Sequence, residues 1–262
     1  MKRAYVTVIS TDEYLPGVLA LAARIKKLCR YPLLVIASRN LSEVVYAKMR
    51  GHNIPYVAVD DIDVSDGLLR ATREDAWFAH WAKSLLKLRI FELTEYEKIV
   101  YIDSDIMLID SVDEVFELPD MSATIGGKSY PGNEHLVDLN SGFLVVVPRE
   151  GLSDRLSALI PEVAAKKHVF SDQDVMQAYF SGWKQNVELL LPGGYNVWFS
   201  HYQFYLKNEF VKAVHFIGIK KPWMMNIFDV IKEYAKCLIK GNAKGIAVFY
   251  EYRKLLKKVG RA

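Results

Sequence analysis

Short apolar runs alternate with longer amphipathic segments between residues 4 and 59. The runs at 4–9 (AYVTVI), 33–38 (LLVIAS) and 56–59 are rich in β-branched and aromatic side chains and predict three strands. The segment from Pro16 or Gly17 through LALAARIKKLCR predicts one helix, and 41–50, which stops at Gly51, predicts another. Strands that alternate with helices indicate the α/β class, with a largely parallel sheet covered by helices.

The same signals continue along the chain. Further strands are predicted at 99–102, 122–125, 143–147 and 211–216, and further helices at 81–94, at 149–167 and from 172 onward. The acidic stretch 60–82 contains Gly67 and predicts a surface loop, so we interpret its Asp61 and Asp63 as solvated.

A pair of aspartates follows the apolar run Ile99 to Ile102. Side chains alternate in extended backbone, so Asp103 and Asp105 face one way and Ser104 the other. Two carboxylates aimed at one point repel unless a cation lies between them, and hard oxygen ligands favour Mg2+ or Mn2+. The alternative is that D-S-D only closes the strand as a turn. The local pattern leaves both readings open.

The polar residues after the first strand are expected at the same edge of the sheet as the aspartates, because ligands of parallel sheets bind at the carboxyl ends of strands. Those residues are Ser10, Thr11, Asp12 and Tyr14. No G-x-G-x-x-G follows the first strand, which argues against a dinucleotide-binding dehydrogenase. Tyr14 can stack on a base or simply pack.

Three later segments carry candidate chemistry. Asn140-Ser141-Gly142 precedes an apolar strand and is either a contact for a polyhydroxylated ligand or an ordinary turn. Asp172, Gln173 and Asp174 open a helix, where they suit the helix dipole or bind sugar hydroxyls. In HFIGIKKPW, His215 is either a metal ligand or a structural histidine at the end of a strand. Gly218 allows a close backbone approach to a ligand, and Lys220 and Lys221 offer positive charge for phosphates.

Composition and charge limit the class of protein to which the chain can belong. The chain has 262 residues, of which 51% are hydrophobic and 25% charged, with a net charge of +3, so it is a globular protein and its overall charge does not indicate nucleic acid. Cys29 and Cys237 form no C-x-x-C motif, and the N-terminal apolar run is too short and polar for a signal peptide. No apolar run is long enough to span a membrane, so we expect no spanning helix. The two distant cysteines indicate no disulfide framework and fit a reducing cytosol, so we expect a cytoplasmic protein.

Six motifs in order resemble the retaining glycosyltransferases of family 8, the group of glycogenin and the bacterial lipopolysaccharide galactosyltransferases. The motifs, which cover about residues 1 to 225, are VTVISTDEY, LLKLRIFEL, YIDSDIML, LNSGFLVV, SDQDVMQAYF and HFIGIKKPW. The resemblance implies a GT-A type nucleotide-diphospho-sugar transferase fold, with a mixed, mostly parallel central sheet. It also implies transfer of a hexose, glucose or galactose, from a UDP-sugar.

The resemblance assigns roles by motif position. Asp103, Asp105 and His215 would bind Mn2+ or Mg2+. Gly218 and Lys221 would hold the phosphates. Val8, Ser10, Thr11 and Tyr14 would line the uridine pocket, with Ser104 near the ribose. Lys87, Asn140, Asp172 and Gln173 would lie near the donor sugar.

The residues at two motif positions indicate the mode of attack and the kind of acceptor. Gln173 is a poor nucleophile, so we favour front-face attack guided by the leaving phosphate over a carboxylate nucleophile. Gln203 falls where glycogenin carries its self-glucosylated tyrosine, although Tyr202 and Tyr205 are adjacent, so we expect an external glycan or lipid-linked acceptor. The alternatives are a glycogenin-like primer, a non-catalytic sugar-nucleotide-binding protein, and a sugar-nucleotide pyrophosphorylase, which the missing glycine-rich, arginine-containing loop disfavours.

The chain is predicted to divide into a catalytic domain at 1–226 and a basic amphipathic helical tail at 227–262, broken near Gly241. Basic residues outnumber acidic ones in this tail, and apolar residues are interleaved with them. Two readings stay open. In the first, the tail lies on the inner face of an anionic membrane. In the second, it packs on the catalytic domain as a final helical layer.

Overall fold

The protein is described by a computed structural model that covers residues 2–63, 83–167, 170–218 and 220–261. Most of the predicted loop at 60–82 and the start of the helix predicted at 81 lie outside the described residues. Within them the strands, in chain order, are β1 Arg3–Ile9, β2 Leu33–Ser38, β3 Tyr56–Val59, β4 Lys98–Ile102, β5 Ile106–Leu108, β6 Ala123–Thr124, β7 Phe143–Val146, β8 Leu190–Leu191, β9 Val197–Trp198 and β10 Ala213–His215.

The α-helices of the described residues cover both faces of the sheet. They are α1 Leu15–Leu28, α2 Glu43–Gly51, α3 Leu152–Ser157, α4 Ile160–Lys166, α5 Asp172–Tyr179, α6 Tyr202–Asn208, α7 Ile227–Ile239 and α8 Ala243–Arg261. None of the described helices is both long enough and apolar enough to cross a membrane.

The central sheet has seven strands in the order β3-β2-β1-β4-β7-β6-β8. The pairs β1–β2, β1–β4, β2–β3 and β6–β8 are parallel, while β7 runs antiparallel to β4 and to β6. This confirms the mixed, mostly parallel sheet. Strands β1, β2, β4 and β7 are almost wholly buried, which is why they read as continuous apolar runs.

A second sheet of three strands, in the order β5-β10-β9, brings distant parts of the chain to the end of β4. Strand β10 pairs antiparallel with β5 and parallel with β9, with His215 opposite Ile106 and Trp198. Because β5 begins directly after Asp105, this pairing carries the imidazole of His215 to the aspartate pair.

Two predicted helices differ from the structure. The segment predicted as a helix at 149–167 forms two helices, α3 and α4, because Pro161 occupies the first turn of α4 and has no N–H to continue the hydrogen bonds of α3. The segment predicted at 81–94 is a 3-10 helix, Lys83–Glu92, within the described residues. Its side chains from Leu85 to Leu88 are all buried, so it is an interior segment rather than a surface helix.

The two C-terminal helices differ in how they pack. Helix α8 contacts α1 and buries Val248, Phe249, Tyr252 and Leu256 in the core on that side of the sheet. Helix α7 buries little beyond Val230 and Cys237. The predicted domain boundary at residue 226 coincides with the start of α7 but stays a prediction.

Candidate active site

The carboxyl ends of β1 and β4 open into a cavity of about 460 Å3 between the two sheets. The residues to which the family resemblance assigns roles all line this cavity: Val8, Ser10, Thr11, Tyr14, Lys87, Asp103, Ser104, Asp105, Asn140, Asp172, Gln173, His215, Gly218 and Lys221. Three further candidates, Asp12, Asp174 and Lys220, are not among the residues that line it. The structure therefore brings together residues from six separate motifs. The individual roles proposed for them stay predictions.

The aspartate pair is held by backbone contacts on both sides. The N–H of Asp103 donates to the carbonyl of Gly142 at 2.9 Å, and the carbonyl of Asp105 accepts from the N–H of Phe216 at 3.0 Å. These bonds connect the end of β4 to the segment before β7 and to the end of β10. The position of both carboxylates is thus set by the meeting of the two sheets.

Each carboxylate uses one oxygen for a lysine and turns the other toward His215. Asp103 Oδ1 lies 3.1 Å from Lys87 Nζ, and Asp103 Oδ2 lies 3.8 Å from His215 Nε2. Asp105 Oδ2 pairs with Lys221, and Asp105 Oδ1 lies 3.2 Å from His215 Nε2. One ligand atom from each of the three side chains lies within 4.8 Å of the others.

This donor set suits a divalent metal. Two carboxylate oxygens and an imidazole nitrogen converge on one point, and such a set accepts Mn2+ or Mg2+ with positions left for further oxygen ligands. Gly142 lines the same point, where an added Cβ would come within 2.8 Å of His215 Cε1 and 2.9 Å of Asp103 Oδ2. The absence of a side chain at Gly142 therefore leaves space between His215 and Asp103 that any other residue would fill.

Lys87 neutralises the acidic groups on the other side of the cavity. Its ammonium lies 3.1 Å from Asp103 Oδ1 and 3.0 Å from Asp172 Oδ2, and it donates to the Ser141 side-chain oxygen at 3.1 Å. Burial acts to lower the pKa of Lys87, but the two carboxylates outweigh it and hold that pKa above its ordinary value. Lys87 is buried, whereas most lysines on helices are exposed to solvent.

Asp105 is an ionised group in a buried position. Burial acts to raise the pKa of this carboxyl, but the neighbouring Lys221 ammonium holds it well below its ordinary value. Among the charged groups that line the cavity, the carboxylates of Asp103, Asp105 and Asp172 pair with the ammonium groups of Lys87 and Lys221. This paired set carries one more negative than positive charge, which a divalent cation would offset.

The side of the cavity that the resemblance assigns to the donor sugar is built at the start of α5. Asp172 is the first residue of that helix, and Ser171 and Asp174 form its capping box. Gln173 Oε1 accepts from the backbone N–H of Ser141 at 3.2 Å, and Asp172 N–H donates to Ser84 Oγ at 3.2 Å. The Asp174 carboxylate thus caps the helix, whereas Asp172 and Gln173 line the cavity.

The proposed nucleotide side lies after β1. Tyr14 packs edge-on against Trp223 with ring centroids 5.8 Å apart, and Trp223 Nε1 donates to the carbonyl of Glu13 at 2.8 Å. An added Cβ on Gly17 would lie 2.5 Å from the carbonyl oxygen of Ser104, so α1 approaches the aspartate loop closely. Trp223 therefore fixes the wall beside Tyr14.

The sequence pattern did not reveal two residues that shape the site. Tyr101 donates its hydroxyl to Asp103 Oδ1, and Asn196 contacts both Asn140 and His215. Tyr101 reads as one more apolar strand residue, and Asn196 reads as a turn residue. Only their places in the fold distinguish them.

Comparison with known proteins agrees with this geometry. The sequence model described as "Glycosyl transferase family 8" matches residues 5–226. The chain is 27% identical over 248 residues to "Glycogenin" of Komagataella phaffii, which covers 86% of this chain and 58% of that protein. It is 28% identical over 232 residues to "Glycogenin-1" of Mus musculus, covering 84% of this chain and 65% of that protein. The chain thus spans about three fifths of the length of these relatives.

The fold also has counterparts among solved structures. The galactosyltransferase LgtC, solved with donor and acceptor sugar analogs, superposes with a TM-score of 0.61 and 17% identity over 97% of this chain and 95% of that one. The glycosyltransferase GlyE of Streptococcus pneumoniae superposes with a TM-score of 0.58 and 15% identity over 98% of this chain and 63% of that one. The fold is therefore of the GT-A type, that of glycosyltransferases. By its family match, the chain belongs to glycosyl transferase family 8.

Proposed function

We propose that this protein is a metal-dependent, retaining hexosyltransferase that moves glucose or galactose from a UDP-sugar to an external glycan or lipid-linked acceptor. The observation that carries this is the convergence of Asp103 Oδ2, Asp105 Oδ1 and His215 Nε2 on one point of the cavity. A metal there, Mn2+ or Mg2+, would supply the positive charge that a departing diphosphate needs. Family membership supports sugar transfer as the reaction class.

The chain's own residues would bind and orient the donor. Lys221 would contribute positive charge beside the diphosphate. Gly218, which adopts a φ of 116°, lets the backbone of the loop turn toward it. Residues Val8, Ser10, Thr11 and Tyr14 would hold the uridine, with Ser104 beside the ribose. Such positioning supplies a large part of the rate increase in group transfer.

The contacts at the donor-sugar side support front-face attack over a covalent intermediate. Gln173 has a neutral amide, and its Oε1 already accepts from Ser141 N–H. The Asp172 carboxylate is paired with Lys87, and an ion-paired carboxylate is a weakened nucleophile. Asn140, Asp172 and Gln173 would then orient the sugar while the leaving phosphate guides the acceptor hydroxyl from the same face.

A donor screen tests the proposal. UDP release is measured with UDP-glucose, UDP-galactose and other UDP-sugars, with Mn2+ or with a chelator, for the wild type and for Asp103→Ala. We expect metal-dependent release from a UDP-hexose that Asp103→Ala abolishes. Release that survives both the chelator and Asp103→Ala would contradict the metal site. Inversion at the anomeric carbon, read by NMR of the product, would contradict retention.

The positions around residue 203 favour an external acceptor over self-priming. Gln203 has no hydroxyl, Tyr205 is buried in the core, and Tyr202 is only partly exposed. We expect no mass increase of the protein after incubation with UDP-glucose and Mn2+, read by intact-protein mass spectrometry. A mass ladder of hexose units that disappears in Tyr202→Phe would instead support a glycogenin-like primer.

We propose that helix α7 places the enzyme on an anionic membrane surface at the cytoplasmic side. Its large apolar side chains that face solvent, with their exposed fractions, are Ile227 65%, Phe228 71%, Ile231 56%, Leu238 62% and Ile239 85%. They lie on one side of the helix, and lysines 232, 236 and 240 follow along its border. An apolar face flanked by positive charge suits an anionic bilayer.

Vesicle binding tests the role of α7. The wild type should co-sediment with phosphatidylserine vesicles at low salt, less so at high salt, and weakly with neutral phosphatidylcholine vesicles. Ile231→Glu with Leu238→Glu should abolish this binding, whereas Leu206→Glu, an exposed apolar residue on α6, should not. Vesicle binding by the Ile231→Glu, Leu238→Glu protein as strong as that by Leu206→Glu would reject the membrane proposal.

A further inference from the structure

Asn196 lies directly before β9 and is almost completely buried, with 1% of its surface exposed. Its side-chain amide has three polar neighbours. Nδ2 lies 2.7 Å from Asn140 Oδ1 and 3.2 Å from Thr124 Oγ1, and Oδ1 lies 2.9 Å from His215 Nδ1. One amide thus joins a residue of the donor-sugar side to a metal-ligand candidate.

The donors and acceptors of this network follow from one backbone group. The N–H of Gly142 can only donate, and it lies 3.0 Å from Asn140 Oδ1, so that atom is an oxygen acceptor. The Asn196 atom facing the same oxygen must therefore be the NH2 group. The side-chain amide oxygen of Asn196, Oδ1, is then the atom that faces His215 Nδ1.

The state of His215 follows in turn. Because an amide oxygen only accepts, His215 Nδ1 must carry the hydrogen, and in a neutral ring Nε2 then presents its lone pair. That lone pair faces Asp105 Oδ1 at 3.2 Å and Asp103 Oδ2 at 3.8 Å. Three lone pairs aimed at one point repel one another unless a cation lies among them.

We propose that Asn196 is a positioning residue, which holds His215 in the Nδ1–H tautomer that a metal ligand at Nε2 requires. Gly142, Asn140 and Asn196 form a chain of hydrogen bonds that sets this tautomer from the backbone. The inference rests on the proposed metal site and adds to it a group that contacts neither metal nor sugar. Partners of this kind orient metal-binding histidines and tune their affinity.

Two substitutions separate this role from a merely structural one. Asn196→Leu removes every polar contact at similar size, so His215 loses its fixed tautomer. Asn196→Asp keeps an oxygen acceptor for His215 Nδ1–H but loses the donor to Asn140. Asn242→Leu is the matched control, because Asn242 is also buried and hydrogen-bonded but holds Gln203 N–H and the Phe199 carbonyl instead.

The test combines metal affinity with a spectroscopic readout of the free protein. Calorimetry with Mn2+ in the presence of UDP should show affinity reduced about 10- to 100-fold in Asn196→Leu. Asn196→Asp should retain most of it, and Asn242→Leu should bind like the wild type. Nitrogen-15 NMR of metal-free, histidine-labelled protein at alkaline pH, with the His215 signal assigned by His215→Gln, should show Nδ1–H in the wild type.

Each outcome decides the proposal. An Nε2–H tautomer in the wild type, or an Asn196→Leu protein that binds Mn2+ as the wild type does, would overturn it. If Asn196→Leu fails to fold, Asn196→Asp and the wild-type spectrum still decide. If the wild type shows Nδ1–H but binds no Mn2+, the hydrogen-bond chain stands and the metal-dependent function fails.

Discussion

The ammonium of Lys87 lies 3.0 Å from the carboxylate of Asp172, which links the 3-10 helix before β4 to the first turn of α5. The same nitrogen reaches Asp103, so one buried cation holds two carboxylates from different segments. The metal-ligand candidate and the donor-sugar candidate are therefore not independent. Changing Lys87 should affect both.

Replacing Lys87 with methionine should destabilise the protein by about 3–5 kcal/mol, because two carboxylates lose a buried partner. The measurement is urea denaturation of the metal-free protein. Lys48→Met on α2, where the side chain is exposed, is the control and should change stability by about 0.5 kcal/mol or less. An unchanged midpoint for Lys87→Met would show that the ion pairs contribute little.

Gly142→Ala should remove metal binding. The added Cβ would lie 2.8 Å from His215 Cε1 and 2.9 Å from Asp103 Oδ2, so either the imidazole or the carboxylate must move. We expect Mn2+ affinity to fall at least about 10-fold. Gly51→Ala, where nothing lies within 4 Å of an added Cβ, should bind Mn2+ normally. Normal affinity in Gly142→Ala would argue against a metal at this point.

Two neighbouring lysines should differ in their effect on UDP binding. Lys221 is buried beside Asp105 and lines the cavity, whereas Lys220 is exposed and pairs with Asp229. Lys221→Ala should weaken UDP binding in the presence of Mn2+ about 10- to 100-fold, and Lys220→Ala about 2-fold or less. Calorimetric titration with UDP measures both. Equal effects would assign the phosphate contact to general positive charge rather than to Lys221.

Stability should fall at mildly acidic pH because of His201. Burial, together with Lys240, lowers the pKa of His201 from 6.5 to about 4. The unfolded chain therefore binds more protons than the folded one in this window, so stability is full above about pH 6.5 and declines as the pH falls toward 4.

His201→Phe tests this contribution, because phenylalanine can keep the ring stack on Tyr130 but does not ionise. Urea midpoints at about pH 7.5 and about pH 5 should differ less in His201→Phe than in the wild type. Since His201 is only about half buried, the difference is expected to be a fraction of that for a fully buried group. A larger fall in the variant would contradict this assignment.

The motif residues were predictable because each motif is local. D-S-D follows an apolar strand, and H-F-I-G-I-K-K lies at the end of another, so their types and their side of the sheet follow from sequence. The helix at 149–167 was predicted as one piece because its periodicity hides the effect of Pro161. The burial of Lys87 was not predictable, because two of its partners lie far away along the chain.

The sequence by itself determined the alternation of strands and helices between residues 4 and 59, the buried strands β4 and β7, the six motifs and the residue types that could meet a metal and a nucleotide. Only the tertiary structure decided that Asn196 fixes His215, that each aspartate divides its oxygens between a lysine and the imidazole, and that α8 is packed while α7 is exposed. The reason is physical. Periodicity reports which face of a segment is buried, whereas hydrogen bonds and ion pairs between distant segments depend on the pairing of β5, β9 and β10.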